Sequence, residues 1–243
     1  MLTLVTGGTR GIGAAVALRL AEEGHDLVLA HRADDGAAAA LRTRVEARGH
    51  ACHLWRGDLT DPGAVEALFA ALPGVPTGVV SNAGLTGPVG PLAEVDPDVV
   101  RRVVDVNLTA AILVARAAVR TMSTAYGGSG GVLVTIGSGA ATLGSPGDYV
   151  HYAAAKAGVD ALTLGLAQEV GPQGVRVVGV APGAIRTRIH ADAGDPGRLD
   201  RIGDAVALGR AGEPEEVAAA VAWLMSDDAG YVTGTTLRVA GGR

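Results

Sequence analysis

Residues 2–13 read LTLVTGGTRGIG, an apolar run that passes through a glycine-rich loop into the start of a helix. Gly7, Gly11 and Gly13 give the spacing G-x-x-x-G-x-G. Such glycines let the backbone turn tightly and approach a pyrophosphate at the amino end of the helix. In a chain with 37 glycines, a plain tight turn is the competing interpretation. The position directly after the first strand favours a nucleotide site.

Short apolar runs alternate with longer helical patterns along the rest of the chain. The runs are nearly continuous in apolar residues, as expected of strands covered on both faces. They are LTLVT (2–6), DLVLA (26–30), ACHLW (51–55), TGVVS (77–81), GVLVTI (131–136), VRVVGVA (175–181) and TLRVA (236–240). Repeated strand–helix–strand units predict an α/β fold, a doubly wound parallel sheet of about seven strands with helices on both faces.

Helix boundaries are also marked in the sequence. Asp61 and Asp96 each precede a proline and are expected to cap helices. Gly24, Gly49 and Gly171 stand where helices should stop.

The whole chain, 1–243, is predicted to be a single domain that binds the dinucleotide and carries out the chemistry. The glycine-rich stretch at 125–131 is only one loop long, so it does not indicate a linker. In a doubly wound sheet, ligands bind beyond the carboxyl ends of the strands. That rule directs the search to Thr6–Gly13, His31–Arg32, Asp58, Asn82–Gly84, Ser138 and Pro182–Thr187.

Composition narrows the classes of function. A formal net charge of −5 and a pI near 5.6 argue against a nucleic-acid or anionic-membrane partner. Cys52 is the only cysteine, and no metal-ligand spacing is present, so neither a disulfide nor a metal site is expected. The apolar stretches are too short to span a bilayer, and the first residues do not resemble a signal peptide, which predicts a cytoplasmic protein.

The segment YAAAK (152–156) holds the only lysine of the chain, against nineteen arginines. Residues at i and i+4 share a helix face, so Tyr152 and Lys156 should lie side by side. A tyrosine hydroxyl is a poor acid–base group at neutral pH, because its reference pKa is about 10. A nearby cation favours the phenolate and lowers that pKa. An ordinary surface lysine is the alternative, but its retention in an arginine-biased chain favours a functional interpretation.

Together, TGGTRGIG, NAG and YAAAK resemble the short-chain dehydrogenase/reductase family in its short, single-domain type. The motifs occur in the family's order and over the full length of the chain. Each motif is moderately specific, whereas the set is highly specific. The resemblance implies a Rossmann-type fold and an NAD(P)-dependent enzyme, similar to 3-oxoacyl-acyl-carrier-protein reductases and related ketoreductases.

The resemblance also implies a catalytic tetrad of Asn107, Ser138, Tyr152 and Lys156. Tyr152 would protonate the carbonyl oxygen as hydride arrives from the nicotinamide. Lys156 would bind the nicotinamide ribose and lower the tyrosine pKa. Ser138 would hydrogen-bond the substrate carbonyl. Asn107 would hold, in a local helix kink, a water that relays protons to Lys156.

Fourteen residues separate Ser138 from Tyr152, where the family usually has thirteen. The additional residue in GSPGDYVH (144–151) is expected to bulge at the pocket wall and to alter substrate shape more than chemistry. Tyr149 is expected to be a decoy without a catalytic role, because Ala153 rather than a lysine follows four residues later.

The cofactor contacts follow from the same resemblance. Asn82 would stabilise the sheet and line the adenosine side, although Ser81 stands where the family more often has asparagine. Asp58 would hold the adenine ring with Leu59 alongside. The segment APGAIRTRI (181–189) would pack near the nicotinamide and its carboxamide. The expected contacts are Gly7, Thr9, Arg10, Gly11, Ile12, Gly13, His31, Arg32, Asp58, Leu59, Asn82, Ala83, Gly84, Tyr152, Lys156, Pro182, Gly183, Ile185 and Thr187.

The choice between NADP and NAD is made just after the second strand. A carboxylate there would bind the ribose 2′-hydroxyl, whereas an arginine would accommodate a 2′-phosphate. The strand runs into His31 and Arg32, and Arg10 lies in the glycine loop, so the two arginines are expected to form a clamp. Asp34 and Asp35 lie at the right distance for an NAD carboxylate but look more like helix caps. NADPH is expected, with NADH as the alternative.

Two further segments concern substrate and assembly. Residues at about 186–210 are polar and free of aromatic residues, and the resemblance makes them the substrate lid, against the alternative of a disordered loop. Their polarity suggests a small or polar carbonyl substrate. The last segment, YVTGTTLRVAGGR (231–243), and two alanine-rich helices resemble the family's subunit contacts, so a homotetramer is expected.

Arginines on the long helix bear on a carrier-protein partner. An acyl carrier protein would favour a basic patch near the pocket mouth. Arg101, Arg102, Arg116 and Arg120 do not form one stripe, and we interpret them as a solvated face, with a partner site as the minority alternative.

Three functions compete. The leading one is an NADPH-dependent reductase that transfers hydride to a ketone or 3-oxoacyl substrate. The second is an NAD-dependent alcohol or sugar dehydrogenase that runs in the other direction. The third is a nucleotide-sensing binding protein on the same fold, since fold does not fix function. All four tetrad positions are present, which disfavours the third.

Overall fold

The computed structural model describes residues 1–203 and 206–243, and seven strands in it form one parallel sheet. They lie in the order β3–β2–β1–β4–β5–β6–β7, so the order reverses between β1 and β4. This reversal confirms the predicted doubly wound α/β fold. The strands are β1 (Leu2–Thr6), β2 (Asp26–His31), β3 (Cys52–Arg56), β4 (Gly78–Ser81), β5 (Gly131–Ile136), β6 (Val175–Pro182) and β7 (Thr236–Val239).

Helices connect the strands and cover both faces of the sheet. The α-helices are α1 (Gly11–Glu22), α2 (Asp35–Glu46), α3 (Pro62–Ala70), α4 (Pro97–Val104), α5 (Ala110–Met122), α6 (Ala140–Leu143), α7 (Val150–Val170), α8 (Ile189–Asp192), α9 (Arg198–Gly203) and α10 (Pro214–Met225). Five residues of π-helix, Asp105–Thr109, join α4 to α5, so these form one long interrupted helix, as the sequence pattern predicted.

The core lies on the two faces of the sheet, and alternate residues of each strand contribute to opposite faces. Val5 of β1 faces the α1 and α10 side, whereas the preceding Leu4 faces the α5 and α7 side. Val134 and Leu133 of β5 divide in the same way. Burying each such side chain contributes about 1.5–3 kcal/mol. Aliphatic side chains dominate these layers, as a composition of only 3% aromatic residues requires, although Trp55 and Phe69 pack against the α5 and α7 side.

The predicted amino-terminal caps are confirmed. The Asp61 carboxylate accepts a hydrogen bond from the Gly63 N–H at 2.9 Å, and Asp96 accepts one from the Asp98 N–H at 2.7 Å. Each cap satisfies a backbone donor that has no partner within its helix, and the following proline needs none.

The three predicted glycine stops are confirmed. Gly24 and Gly49 take left-handed φ values of +90° and +87° after α1 and α2. Helix α7 ends at Val170 with Gly171 as its C-cap, although Gly171 itself keeps helical geometry and starts a 3-10 turn. Gly174, with φ +78°, is the residue that leaves the turn and leads into β6. No helix among the residues that the structure describes is long and apolar enough to cross a membrane.

Candidate active site

The carboxyl ends of β1, β4, β5 and β6 open onto one cavity of about 560 Å³. Helices leave the sheet in opposite directions at the β1/β4 reversal, and that divergence creates the crevice. The expected residues that line it are Gly7, Thr9, Arg10, Gly11, Ile12, His31, Arg32, Asp58, Leu59, Asn82, Ala83, Gly84, Ser138, Tyr152, Lys156, Pro182, Gly183, Ile185 and Thr187. Gly13 and Asn107 are the expected site residues that do not line it.

The glycine-rich loop joins β1 to α1 at the floor of the cavity. Gly7 and Gly11 adopt φ values of +60° and +53°, which favour glycine. Gly13 instead packs behind the loop, and a Cβ there would lie 2.3 Å from the Gly7 carbonyl oxygen. Gly13 therefore holds helix and loop together, and its contact with the pyrophosphate stays a prediction.

Asn82 fixes the loop from the neighbouring strand β4. Its Nδ2 donates to the carbonyl oxygens of Thr6 and Gly7, both at 3.0 Å. The Thr6 hydroxyl accepts hydrogen bonds from the backbone N–H groups of Asn82 and Ala83 at 3.0 Å and 3.2 Å. The predicted stabilising role of Asn82 is visible in these contacts, which lock the carboxyl ends of β1 and β4 together.

Helix α7 brings Tyr152 and Lys156 to the cavity wall one turn apart. Both are buried, at 7% and 4% exposure. The Lys156 ammonium lies 5.8 Å from the centroid of the Tyr152 ring and donates to the Ile136 carbonyl oxygen at 2.7 Å. Ser138 follows β5 and lines the same cavity. An ordinary surface lysine is therefore excluded by the burial of Lys156.

The pKa values of this pair differ from the expected direction. Burial raises the pKa of Tyr152 to about 12, although the neighbouring Ser138 side chain lowers it and Tyr149 raises it further. Burial lowers the pKa of Lys156 to about 8, while Asp160 raises it. The net shift of the Tyr152 pKa is therefore upward, opposite to the predicted direction, because loss of hydration is its largest cause. The effect of Lys156 on the tyrosine stays a prediction.

Asn107 lies in the π-helical segment, where the sequence predicted a local kink. Its Nδ2 donates to the carbonyl oxygens of Leu85 and Val103 at 2.6 Å and 2.8 Å, and its Oδ1 accepts from the Leu85 N–H at 3.3 Å. A methyl group on Gly84 would come within 2.8 Å of Asn107 Oδ1 and 3.5 Å of Lys156 Nζ. Asn107 is thus adjacent to Lys156 behind the cavity wall, and its role in a proton relay stays a prediction.

The carboxylates at the end of β2 are already engaged. Asp34 accepts a hydrogen bond from the Ala37 N–H at 2.9 Å, which confirms its predicted capping role. Asp35 is not a cap, since its carboxylate contacts His31 Nε2 and an Arg56 nitrogen, each at 3.0 Å.

The two arginines of the expected clamp line the same cavity from different elements. Arg10 lies 3.6 Å from Asp192, an exposed ion pair across the cavity mouth. Arg32 follows β2, and its carbonyl oxygen accepts a hydrogen bond from Arg56. Arg32 thus lines the cavity at the end of β2, whereas Arg10 also contacts Asp192 of the lid.

Arg102 is a residue that the sequence interpretation placed wrongly. It was expected on a solvated face, but it lines the cavity and donates to Asp58 Oδ2 at 2.9 Å. Burial raises the pKa of Asp58, but hydrogen bonds from Thr60 and Arg102 outweigh it and lower the pKa overall. The adjacent Arg101 is exposed and pairs with Asp98. Consecutive residues of a helix point in different directions, and the sequence alone does not indicate which of the two arginines faces the cavity.

Tyr149 was also missed as a site residue. It is 8% exposed, lines the cavity and meets Tyr152 edge-on, with ring centroids 5.4 Å apart. The additional residue in the loop before α7 was the signal in the sequence. A longer loop at a pocket wall shifts the side chains next to it, and Tyr149 is one of these.

The predicted lid, at about 186–210, contains α8 and α9 in the part that the structure describes; Asp204 and Ala205 of that span lie outside the described residues. Its cavity-lining members are Thr187, Arg188, Ile189, His190 and Asp192. Burial and the nearby Arg198 lower the pKa of His190, while Asp195 raises it. Within 1–203 and 206–243, no group of three or more His, Cys, Asp and Glu side chains is placed to hold a metal ion.

Comparison with known proteins identifies the family to which the chain is similar. A family model described as enoyl-(acyl carrier protein) reductase matches residues 7–243. The chain is 41% identical over 245 residues to the uncharacterized oxidoreductase YgfF of Escherichia coli (strain K12), covering 100% of this chain and 99% of the relative. It is 36% identical over 244 residues to L-rhamnose 1-dehydrogenase (NAD(P)(+)) of Sphingomonas sp. (strain SKA58), covering 98% and 94% of the two chains.

A solved structure is similar over nearly the whole fold. A short chain dehydrogenase from Burkholderia cenocepacia J2315, crystallised in complex with NADP, superposes with a TM-score of 0.89 at 32% identity. The alignment covers 99% of this chain and 96% of that one.

Proposed function

The chain belongs to the short-chain dehydrogenase/reductase family and is an oxidoreductase, and we propose that it is an NADPH-dependent reductase of a ketone or 3-oxoacyl substrate. The observation that carries this proposal is the convergence of Ser138, Tyr152 and Lys156 on the cavity that also contains the glycine-rich loop. A nucleotide-sensing binding protein would not need a buried tyrosine and a buried lysine together with a serine at the same cavity.

The residues fit a dinucleotide. Gly11 and Ile12 line the cavity at the amino end of α1, where no described side chain caps the helix and the first turn holds no acidic residue. The backbone N–H groups and the helix dipole there favour phosphate oxygens. When bound, reduced nicotinamide would supply the hydride.

Tyr152 would act as the proton donor. With its pKa raised to about 12, the phenol carries its proton at neutral pH and suits the reductive direction. Ser138 Oγ would orient the substrate oxygen beside Tyr152 Oη. Lys156 would hold the ribose, and its lowered pKa leaves it able to exchange a proton near neutral pH.

NADPH is the proposed cofactor because the end of β2 offers Arg32 rather than a free carboxylate. Asp35 is held by His31 and Arg56, and Asp34 caps α2. A charge-assisted contact between one arginine and a 2′-phosphate is expected to favour NADPH over NADH by roughly tenfold or more.

A second candidate, an NAD-dependent alcohol or sugar dehydrogenase, rests on one observation: Asp34 lines the cavity close to Arg32. A relative named L-rhamnose 1-dehydrogenase (NAD(P)(+)) supports this candidate. The high pKa of Tyr152 disfavours it at neutral pH, since alcohol oxidation needs the phenolate as base.

We also infer four copies in the assembled protein. Strand β7 is an edge strand, and exposed apolar side chains lie on it and on α7: Leu237 is 37% exposed and Leu164 51%. Edge strands and apolar patches of this kind are usually covered by a partner.

The decisive experiment is a fluorescence titration of the protein with NADPH and NADH, followed by a screen of ketones. We expect tighter NADPH binding, loss of that preference in Arg32→Ala, and a kcat lowered roughly 10²–10⁴-fold in Tyr152→Phe. Tyr231→Phe, at a fully exposed tyrosine, is the matched control. A preference for NADH would move the assignment to the second candidate, and binding of neither would overturn the enzyme proposal.

A further inference from the structure

The loop between α6 and α7, which holds the additional residue, has an unusual backbone geometry. Gly144, Ser145 and Gly147 have φ values of +70°, +48° and +76°, and Ser145 is the one non-glycine residue with positive φ among those the structure describes. A left-handed serine costs energy and persists only where its surroundings fix it. The Asp148 and Tyr149 N–H groups both donate to the Ser145 carbonyl oxygen, at 3.2 Å and 3.3 Å. The strained turn therefore sets the positions of Asp148 and Tyr149.

Arg198 of the lid helix α9 closes onto this loop. It is only 7% exposed, and its guanidinium donates to Asp148 Oδ2 at 2.6 Å. The same guanidinium carbon lies 4.9 Å from the centroid of the Tyr149 ring, within range of a cation–π interaction. A charge buried this far is held by its partners, and removing either one leaves the other unpaired.

The contacts continue to the reacting group. Tyr149 meets Tyr152 edge-on at 88°, so one ring separates the lid arginine from the proposed proton donor. Tyr149 lines the cavity, whereas Arg198 lies behind it. Side-chain contacts therefore connect the lid to the cavity wall beside Tyr152: Arg198 packs on Tyr149, and Tyr149 packs on Tyr152.

Resting on the proposed function, we propose that Arg198, Asp148 and Tyr149 form a latch that holds the lid closed and sets the substrate-facing wall, with Arg198 as a positioning residue. The latch acts on carbonyl-substrate binding, because Arg198, Asp148 and Tyr149 contact neither the glycine loop nor the end of β2. The exposed Arg10–Asp192 ion pair between the lid and the glycine loop lies outside the latch.

The test compares Arg198→Ala with Arg201→Ala, a matched control that removes an exposed arginine from the same helix. Hydrogen–deuterium exchange of residues 189–203 in the cofactor-free protein is expected to accelerate in Arg198→Ala only. In the enzyme assay, KM for the carbonyl substrate is expected to rise about tenfold, with NADPH affinity unchanged, a size typical of a desolvated cation–π contact. Arg198→Lys keeps the charge but not the flat guanidinium, and an intermediate KM is expected.

Each outcome bears on the latch. Unchanged exchange in Arg198→Ala, or equal acceleration in both alanine variants, overturns it. Faster exchange in Arg198→Ala alone supports it even if the wild type reduces no ketone, in which case only the proposed function fails. Should Arg198→Ala not fold, the same comparison is made with Arg198→Lys and Asp148→Asn.

Discussion

At the scale of single residues, burial decides the chemistry of the site more than the neighbouring charge does. The sequence predicted that Tyr152 and Lys156 are adjacent, and helix α7 places them so. It also predicted a lowered tyrosine pKa, and the structure gives the opposite direction. The sequence alone predicts which residues share a helix face. It does not predict a pKa shift caused by burial, because that shift depends on which residues the fold packs over the side chain.

The lowered pKa of Lys156 has a consequence for stability. A lysine has an ordinary pKa of 10.5, and burial lowers that of Lys156 to about 8. Between these values the unfolded chain binds more protons than the folded one, so this group adds stability as pH rises and removes it as pH falls toward 8. We expect wild type to gain unfolding free energy relative to Lys156→Met between about pH 7 and about pH 10.

Urea unfolding of both proteins at the two pH values measures this difference. The comparison between the two proteins cancels the titration of every group that Lys156 does not influence. Parallel changes in wild type and Lys156→Met would show that Lys156 has an ordinary pKa in the folded protein.

At the scale of elements, the backbone is tightly packed at the junction of the glycine loop with α1. A Cβ on Gly13 would meet the Gly7 carbonyl oxygen at 2.3 Å and Asn82 Nδ2 at 2.6 Å. Backbone atoms cannot yield as a flexible side chain can, so a methyl group there pushes α1 away from the loop.

We expect Gly13→Ala to lower the unfolding free energy by roughly 1–3 kcal/mol and to weaken NADPH binding. Gly36→Ala is the matched control, since the nearest atom to a Cβ there is Asp34 Oδ1 at 3.8 Å and the residue lies in α2. That variant is expected to be more stable by about 0.5–1 kcal/mol. Calorimetry of both variants checks the opposite signs; destabilisation of equal size in both would contradict the steric argument.

The elements themselves were largely predictable. Apolar runs gave each strand to within a residue or so, because strands covered on both faces carry continuous apolar sequence. Gly171 marks the end of α7, but the sequence did not indicate the 3-10 turn that follows it and ends at Gly174. Arg102 and Tyr149 could not be placed, because their inward orientation depends on the tilt of α4 and on the backbone of the loop before α7.

At the scale of the whole molecule, the uncovered apolar surface predicts assembly. Leu237 on the edge strand and Leu164 on α7 are exposed, and Leu164 Cδ1 lies 3.8 Å from where a Cβ on the nearby Gly234 would stand. If the protein assembles as inferred, we expect Leu164→Glu and Leu237→Glu to give smaller species than wild type, because a charge would be buried at the contact.

Sedimentation velocity measures the change. Leu92→Glu, at an exposed leucine of a distant 3-10 turn, is the control and is expected to leave the assembly intact. A wild type that sediments as a single copy of 24.2 kDa would contradict the inference.

Lys156 is the only lysine in the chain, and it lies buried against the Ile136 carbonyl at the wall of the cavity. Lysine labelled with nitrogen-15 at the side-chain amine would therefore give one nuclear magnetic resonance signal from the entire protein. That signal needs no assignment, and its chemical shift follows the protonation of the amine directly. Cofactor, substrate and lid position can each be read as a displacement of a single peak, so the chain carries its own spectroscopic probe at the place where the proposed reaction occurs.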